Sequence, residues 1–419
     1  MTDRYRALAD EFGTPLYVYD LDRLTQAAHD LRAALPPEAT LYYSLKANPH
    51  PLLAGELRVA FGARAEISSS GELTAAETGG FTGAECLYTG PAKTRDEIEV
   101  AITHGVRLFS VESLADLRRV GTVAAAHGVV ADCLVRANGA TGSAASIRMS
   151  GTASRFGVDA DVLEAEYERF AEVPNTRLRG LHFFPLSNAR HEQDLVDEFA
   201  RSAATAASLS ARTGLALGTL DLGGGFATPY AEPGDRPRYG TLRAGLTAAL
   251  DEHLPQWRNG APRLAFESGR YLTGDCGTLV CRVTEVKRSR GREFTLLDAG
   301  INVLGGMSGL GRLLAGQIRP DFTDADAATT TLTGPLCTPA DTWASKLSVP
   351  ALHDGDLISI PNVGAYGLTA SLLAFLSRPV ATELVVRGEV PIAVTRHEMR
   401  SSTRIFDVPP AGQESTVSV

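Results

Sequence analysis

Through the first two thirds of the chain, short runs that alternate apolar and polar residues are separated by longer Ala-rich stretches of helical period. The strand-like runs are "TLYYSLKA", "ARAEIS", "ECLYTG", "VRLFSVE", "DCLVRA", "LRGLHFF", "LGTLDLGG" and "RLAFESG". Eight is the number that closes a parallel α/β barrel. Between them "DEIEVAITHG", "LADLRRVGTVAAAHG" and "QDLVDEFARSAATAASLSARTG" read as helices, with glycine stops at their ends. After about residue 272 the texture changes to strand runs such as "GTLVCRVTEVKR", "REFTLLDAG", "DLISIPNVGAY" and "TELVVRG". The pattern predicts an α/β chain: a (β/α)8 TIM-like barrel over residues 28–272, and a β-sandwich or β-barrel domain from residues 1–27 and 273–419. The early strand "TPLYVYD" is expected to join that second sheet, and "DVPPAGQESTVSV" reads as a loose tail.

One run has an unusual end. In "TLYYSLKANP" alternation puts Tyr42, Ser44 and Lys46 on one face and Leu41, Tyr43 and Leu45 on the other, so a half-buried strand delivers an ammonium group to its own tip. The other predicted tips carry Glu66 with Ser68 and Ser69, Gly90, Glu112, Arg136, His182 with Phe184, Gly223 to Gly225, and Glu267. Barrels build their sites on that face.

Composition narrows the classes. At 419 residues, 44% hydrophobic and 21% charged, with 41 Gly and 22 Pro, the chain reads as globular. The charged start "MTDRYRALADEF" and the lack of a long apolar run predict a cytoplasmic protein with no membrane partner. A net charge of -9 argues against nucleic-acid binding. The five cysteines have neither a disulfide scaffold's density nor zinc-ligand spacing, so no metal is expected. The basic run "KRSRGR", Lys287 to Arg292, reads as a solvated hairpin turn.

Each candidate has a plain alternative. A lysine at a barrel mouth can be an ordinary ion pair. "LDLGGGF" after the seventh strand can be a tight turn, although backbone amides without side chains approach a phosphate closely, and barrels bind phosphates in the loops after strands seven and eight. Glu267 in "FESGR" can pair with Arg270, or face a pyridine nitrogen and keep it protonated, which makes pyridoxal phosphate a strong electron sink.

Together these pieces resemble the fold-type III pyridoxal-phosphate decarboxylases, the ornithine, arginine and diaminopimelate decarboxylase family, whose β domain is alanine racemase-like. The likeness runs along nearly the whole chain in family order: "YSLKAN", "AEISSSGEL", "SRFGVD", "GLHFFPLSN", "LGGGF", "ESGR", "GPLCTPAD" and "GAYG". It implies Lys46 as the Schiff-base lysine, with Glu66 and Glu72 in the polar shell around it. Ser187, Gly223, Gly224, Gly225, Gly269 and Arg270 would hold the cofactor phosphate, helped by Tyr366, while Glu267 would pair with the pyridine nitrogen and His182 would join the cofactor site. Cys337 would come from the partner subunit of a homodimer with shared active sites and return a proton after carbon dioxide leaves. Such a lysine is expected to have a lowered pKa in a pocket shielded from water.

Two departures from the family pattern bear on the substrate. Where relatives read His-x-His, this chain has His182-Phe183-Phe184, so Phe184 would stack on the ring, unless both phenylalanines simply pack the barrel. After the cysteine, relatives that act on ornithine or diaminopimelate carry an acid; here Thr338 is neutral, and burying an unpaired ammonium beside it would cost several kcal/mol. Asp341 could reach across to such a group or cap a helix after Pro339. "GPLCTP", "SIRMSGTASRFG" and "FESGRYL" look most like the butirosin-type subgroup, which acts on glutamate joined through its side chain to an acyl carrier protein. "KRSRGR" and Arg312 are then candidates for docking that acidic carrier. The alternatives are decarboxylation of free diaminopimelate, ornithine or lysine; racemisation, which Glu267 argues against; and a non-catalytic pyridoxal-binding barrel, which would lack "GPLCTPAD".

Overall fold

The computed structural model describes residues 3–139, 154–184, 186–305, 318–322 and 328–404. The stretch "SIRMSGTA", Arg312 and the tail "DVPPAGQESTVSV" lie outside the described residues.

Strand β1 (Leu16–Asp20) opens the chain after helix α1 (Asp3–Phe12). The barrel strands follow: β2 (Thr40–Ser44), β3 (Arg64–Ile67), β4 (Cys86–Tyr88), β5 (Leu108–Val111) and β6 (Ala131–Asn138). After the two-residue β7 (Val158–Asp159) come β8 (Thr176–His182), β9 (Thr219–Asp221) and β10 (Arg263–Ser268). All pair in parallel in the order β5-β4-β3-β2-β10-β9-β8-β6, and a β5–β6 pairing closes the ring. The eight predicted runs are therefore the barrel.

The strands are buried on both faces, not half-buried as expected. Tyr42, Leu87, Leu134 and Ala265 fill the barrel interior, while Leu41 and Tyr43 face the helical layer. Both faces are covered because parallel strands need crossover helices, which wrap the outside. Serine and threonine caps start these helices: the Ser69, Thr94 and Ser113 side chains accept the amides of Glu72, Glu97 and Asp116. The long helix Glu192–Thr213 stops on Gly214, at φ +78°.

The second sheet adds β11 (Gly277–Ser289), β12 (Arg292–Leu297), β13 (Ala328–Thr333), β14 (Thr342–Val349), β15 (Leu357–Ile360), β16 (Thr382–Arg387) and β17 (Val390–Thr395). Its order is β14-β13-β12-β11-β1-β16-β17, with β15 on β11. As predicted, β1 joins it, antiparallel to β11 and parallel to β16. Helix α1 covers one face, packing Leu8 and Ala9 on Leu16, Val18, Val280 and Leu384. The basic run forms the β11–β12 hairpin, turning at Arg290 and Gly291.

Two contacts join the sheets where it matters. The Tyr366 amide donates to Ala47 O at 2.7 Å, and Asn48 Nδ2 donates to Gly364 O at 2.8 Å. The loop after β15 therefore rests on the turn that carries Lys46.

Candidate active site

Lys46 is not on a strand. β2 ends at Ser44, and Leu45–Ala47 form a single 3-10 turn that swings the ammonium into the barrel mouth. Close packing fixes this turn: a Cβ on Gly269 would lie 2.5 Å from Ala47 Cβ, so only glycine lets β10 pass. Lys46 Nζ lies 3.0 and 2.9 Å from the two Glu66 oxygens and 4.0 Å from Glu267 Oε2. The Phe184 ring centroid is 5.1 Å away. Lys46 is deep in the mouth yet keeps 37% of its side chain open, because it borders the cavity.

Lys46, Glu66, His182, Phe184, Ser187, Glu267 and Tyr366 line one cavity of about 260 Å³. Gly225, Gly269 and Arg270 line an adjoining recess with Ser187 and Tyr366. At the glycine run, a Cβ on Gly223 would meet Phe183 O at 2.2 Å and one on Gly224 would meet Glu267 O at 2.4 Å. Gly223 and Gly225 also have positive φ, at +70° and +110°. The Arg270 guanidinium lies 4.7 Å from the Tyr366 ring, so the alternative pair with Glu267 does not form. A second cavity, ringed by Arg64, Arg107, Arg179 and Arg263, sits at the opposite end of the strands, away from the converging tips.

The electrostatics are those of buried, competing charges. Burial works to lower the Lys46 pKa, but Glu66 and then Glu267 outweigh it, so the ammonium stands above the ordinary lysine value. This corrects the expected lowered pKa: the shielding is there, but the carboxylates beside it win. Burial also opposes charge on Glu66, yet Lys46 and hydrogen bonds from Ser44 and Thr89 hold its pKa below the usual range. Burial, then Glu66 and Asp221, push Glu267 well above the usual range. Asp221 is pushed up to about 7, chiefly by burial. Burial, then Arg136, Lys46 and Lys93, hold His182 well below the ordinary histidine value. Glu72 stands behind this shell and accepts from the Ser68 amide at 2.7 Å and its hydroxyl at 3.1 Å.

Of the glycine run only Gly225 reaches the recess, and Cys337, Thr338 and Asp341 are not brought to this cavity within the chain. Cys337 is exposed, and neither it nor Thr338 lines the cavity or its recess. Asp341 caps no helix, since strand β14 follows it directly. Its carboxylate is buried and accepts from the Ile301 and Leu336 amides at 2.8 Å each, which clamps the loop that carries Cys337.

Sequence reading gave no role to Thr89, Ser110, Phe156 or Asp221, and left Glu112 and Arg136 as strand tips. Thr89 donates to Glu66 at 2.5 Å. Arg136 pairs with Glu112 at 3.0 Å and lies 4.8 Å from the Phe156 ring. Asp221 accepts the Gly223 amide at 2.8 Å and so braces the glycine run. The available signal was a polar residue inside an apolar strand, as in "RLFSVE" and "LDLGGG".

A family profile described as "Pyridoxal-dependent decarboxylase, pyridoxal binding domain" matches residues 21–274. The chain is 30% identical to the L-glutamyl-[BtrI acyl-carrier protein] decarboxylase of Niallia circulans over 91% of each chain. It is 31% identical to the diaminopimelate decarboxylase of Neisseria meningitidis serogroup B, over 94% of this chain and 93% of that one. The crystal structure of the Helicobacter pylori diaminopimelate decarboxylase complexed with L-lysine superposes with a TM-score of 0.79, at 26% identity over 91% of this chain and 94% of that one. With its closed parallel barrel, its second sheet and the lysine, carboxylates and glycine run at one mouth, the chain belongs to the fold-type III pyridoxal-dependent decarboxylases.

Proposed function

We propose that this decarboxylase removes the Cα carboxyl group from a modified L-amino acid, a glutamyl or aspartyl unit attached through its side-chain carboxyl to an acyl carrier protein. The observation that carries this reading is the state of Asp341. It is the one acid between Leu336 and Asp341, and both its oxygens are taken by buried amides. The loop beside Cys337 thus keeps its carboxyl group buried and hydrogen-bonded, off the cavity lining where a substrate ammonium would sit, whereas a thioester or amide needs only a neutral neighbour such as Thr338. The likeness to the Niallia circulans enzyme supports the same class.

The residues present fit pyridoxal phosphate. Gly225, Ser187, Gly269 and Arg270 line one recess suited to a phosphate, and the buried Ser268 hydroxyl in it has no partner among the described residues. Bound there, pyridoxal phosphate supplies a sink for the electron pair released with the carboxyl group. Lys46 would join the cofactor's aldehyde only as a neutral amine, so its ion pair with Glu66 at 2.9 Å would have to give way first. Glu267 would face the ring nitrogen, and Phe184 and Arg136 wall the cavity. Cys337, supplied by the second subunit of a homodimer, returns a proton to Cα.

A second reading, decarboxylation of free diaminopimelate, ornithine or lysine, is favoured by the diaminopimelate decarboxylases that match over nearly the whole chain. Mass spectrometry for loss of carbon dioxide separates the two. Carrier-bound glutamyl or aspartyl units should turn over while the free diamino acids do not, and the reverse result sinks the first reading. Replacing Lys46 with Ala should abolish both turnover and the yellow imine absorbance that depends on the lysine amine.

A further inference from the structure

Ser110 and His182 stand behind Glu267, fully buried, with no part in the chemistry above. Ser110 Oγ lies 2.7 Å from His182 Nδ1. On the other side of the ring, His182 Nε2 lies 3.3 Å from Glu267 Oε1. That is longer than a well-formed hydrogen bond, as catalytic contacts are before a ligand tightens them. Neither atom makes a hydrogen bond among the described residues, so the two are close without being aligned as donor and acceptor. Asp221 Oδ2, also unpartnered, shares this space: the three side chains' ligand atoms lie within 4.8 Å of one another.

Hydrogen accounting fixes the direction. A serine hydroxyl has one hydrogen, and a buried one left without an acceptor is costly. Nδ1 is the acceptor in reach, so Ser110 donates to it, and the neutral imidazole carries its own hydrogen on Nε2. That hydrogen has Glu267 Oε1 within reach at 3.3 Å, and a bound ligand that tightens the contact would make this oxygen its acceptor. Any carboxyl proton on Glu267 is then confined to Oε2, the oxygen turned toward Lys46 and the cavity. We propose that Ser110 and His182 are positioning residues that hold the Glu267 proton on its cavity-facing oxygen, where a heteroaromatic ring nitrogen receives it. This deepens the assignment of Glu267 to the pyridine nitrogen and rests on it. The charges around the relay act in the same sense: Arg136, Lys46 and Lys93 keep His182 neutral, while Glu66 and Asp221 favour a protonated Glu267.

The relay makes a claim about the cofactor-free protein. Imidazole NMR of histidine-labelled full-length chain should show His182 neutral and protonated on Nε2 through the neutral pH range. An Nδ1–H tautomer or an imidazolium overturns the proposal without any variant. In Ser110→Ala the tautomer should become mixed and cofactor dissociation should quicken, weakening affinity about tenfold. The bound cofactor's absorbance should shift from its long-wavelength to its short-wavelength form at a lower pH than in the parent. Ser110→Thr, which restores the hydroxyl, should recover both, and so should His182→Gln relative to His182→Leu, because glutamine keeps a donor toward Oε1. If Ser110→Ala binds the cofactor with unchanged affinity and pH profile, the relay is refuted. If the parent chain shows the Nε2–H tautomer yet binds no pyridoxal phosphate, the assignment of Glu267 fails instead.

Discussion

At the residue scale, the glycine run and its brace lend themselves to test. A methyl on Gly224 would sit 2.4 Å from Glu267 O, so Gly224→Ala must push β9 and β10 apart or displace the loop. Stability should fall by about 1–3 kcal/mol and cofactor affinity with it, measured by denaturant unfolding and by titration; an unperturbed variant would mean the run tolerates bulk. Asp221 gives a pH test. Its pKa rises from 3.8 unfolded to about 7 folded, so the folded state binds the proton more tightly across that window. Stability from this group is undiminished below the unfolded value, declines as pH climbs through the window, and stays low above it. Melting temperature of the cofactor-free chain should therefore drop toward neutral pH. Asp221→Asn, which keeps an acceptor for the Gly223 amide, should flatten that drop, and an unaltered pH dependence would remove Asp221 as its source. Lys46 marks the limit of sequence reading here. Its arrival at the mouth was legible from order and spacing, but its ion pair and raised pKa depend on Glu66 and Glu267, which approach it from other strands.

At the element scale, legibility followed hydrophobic contrast. The eight barrel strands are short apolar runs between helices and read clearly. β13, "ATTTLT", did not: Thr330 and Thr331 are buried, Thr330 Oγ1 bonded across the strands to Thr295 Oγ1 at 2.9 Å, which alternation cannot reveal. β14 and β17 were also missed; β17 begins "VP" and lies at the sheet edge, where proline is tolerated. Without β14 in view, Asp341 after Pro339 was open to reading as a helix cap, where the structure has a loop clamp. Asp341→Ala leaves two buried amides without acceptors, at about 1–3 kcal/mol each, and should lower the melting temperature by several degrees. Asp341→Asn, with one acceptor left, should fall between. If instead stability holds and KM rises only for substrates with a cationic far end, Asp341 recognises substrate and the clamp is incidental.

At the scale of the whole molecule, the barrel holds the lysine, and the second sheet holds Tyr366 above it and Cys337 away from it. The cavity mouth is closed on one side by the loop that rests on Ala47, while the clamped Cys337 loop faces outward. A thiol proposed to act at Cα but displayed on the surface of its own chain has a physical use if a second copy presents it. Mixing two inactive variants tests this. In a homodimer with shared sites, Lys46→Ala and Cys337→Ala chains reassort so that half of the dimers are hybrid. Each hybrid has one site with both residues intact and one with neither, so the mixture should recover about a quarter of the parent activity. Recovery should require subunit exchange, for instance after mild denaturant, and should track the hybrid fraction. Mixed chains that stay inactive, although native mass spectrometry shows hybrids, would place Cys337 in its own chain's chemistry or outside the reaction. Activity in a chain held monomeric by dilution would rule out the shared site directly.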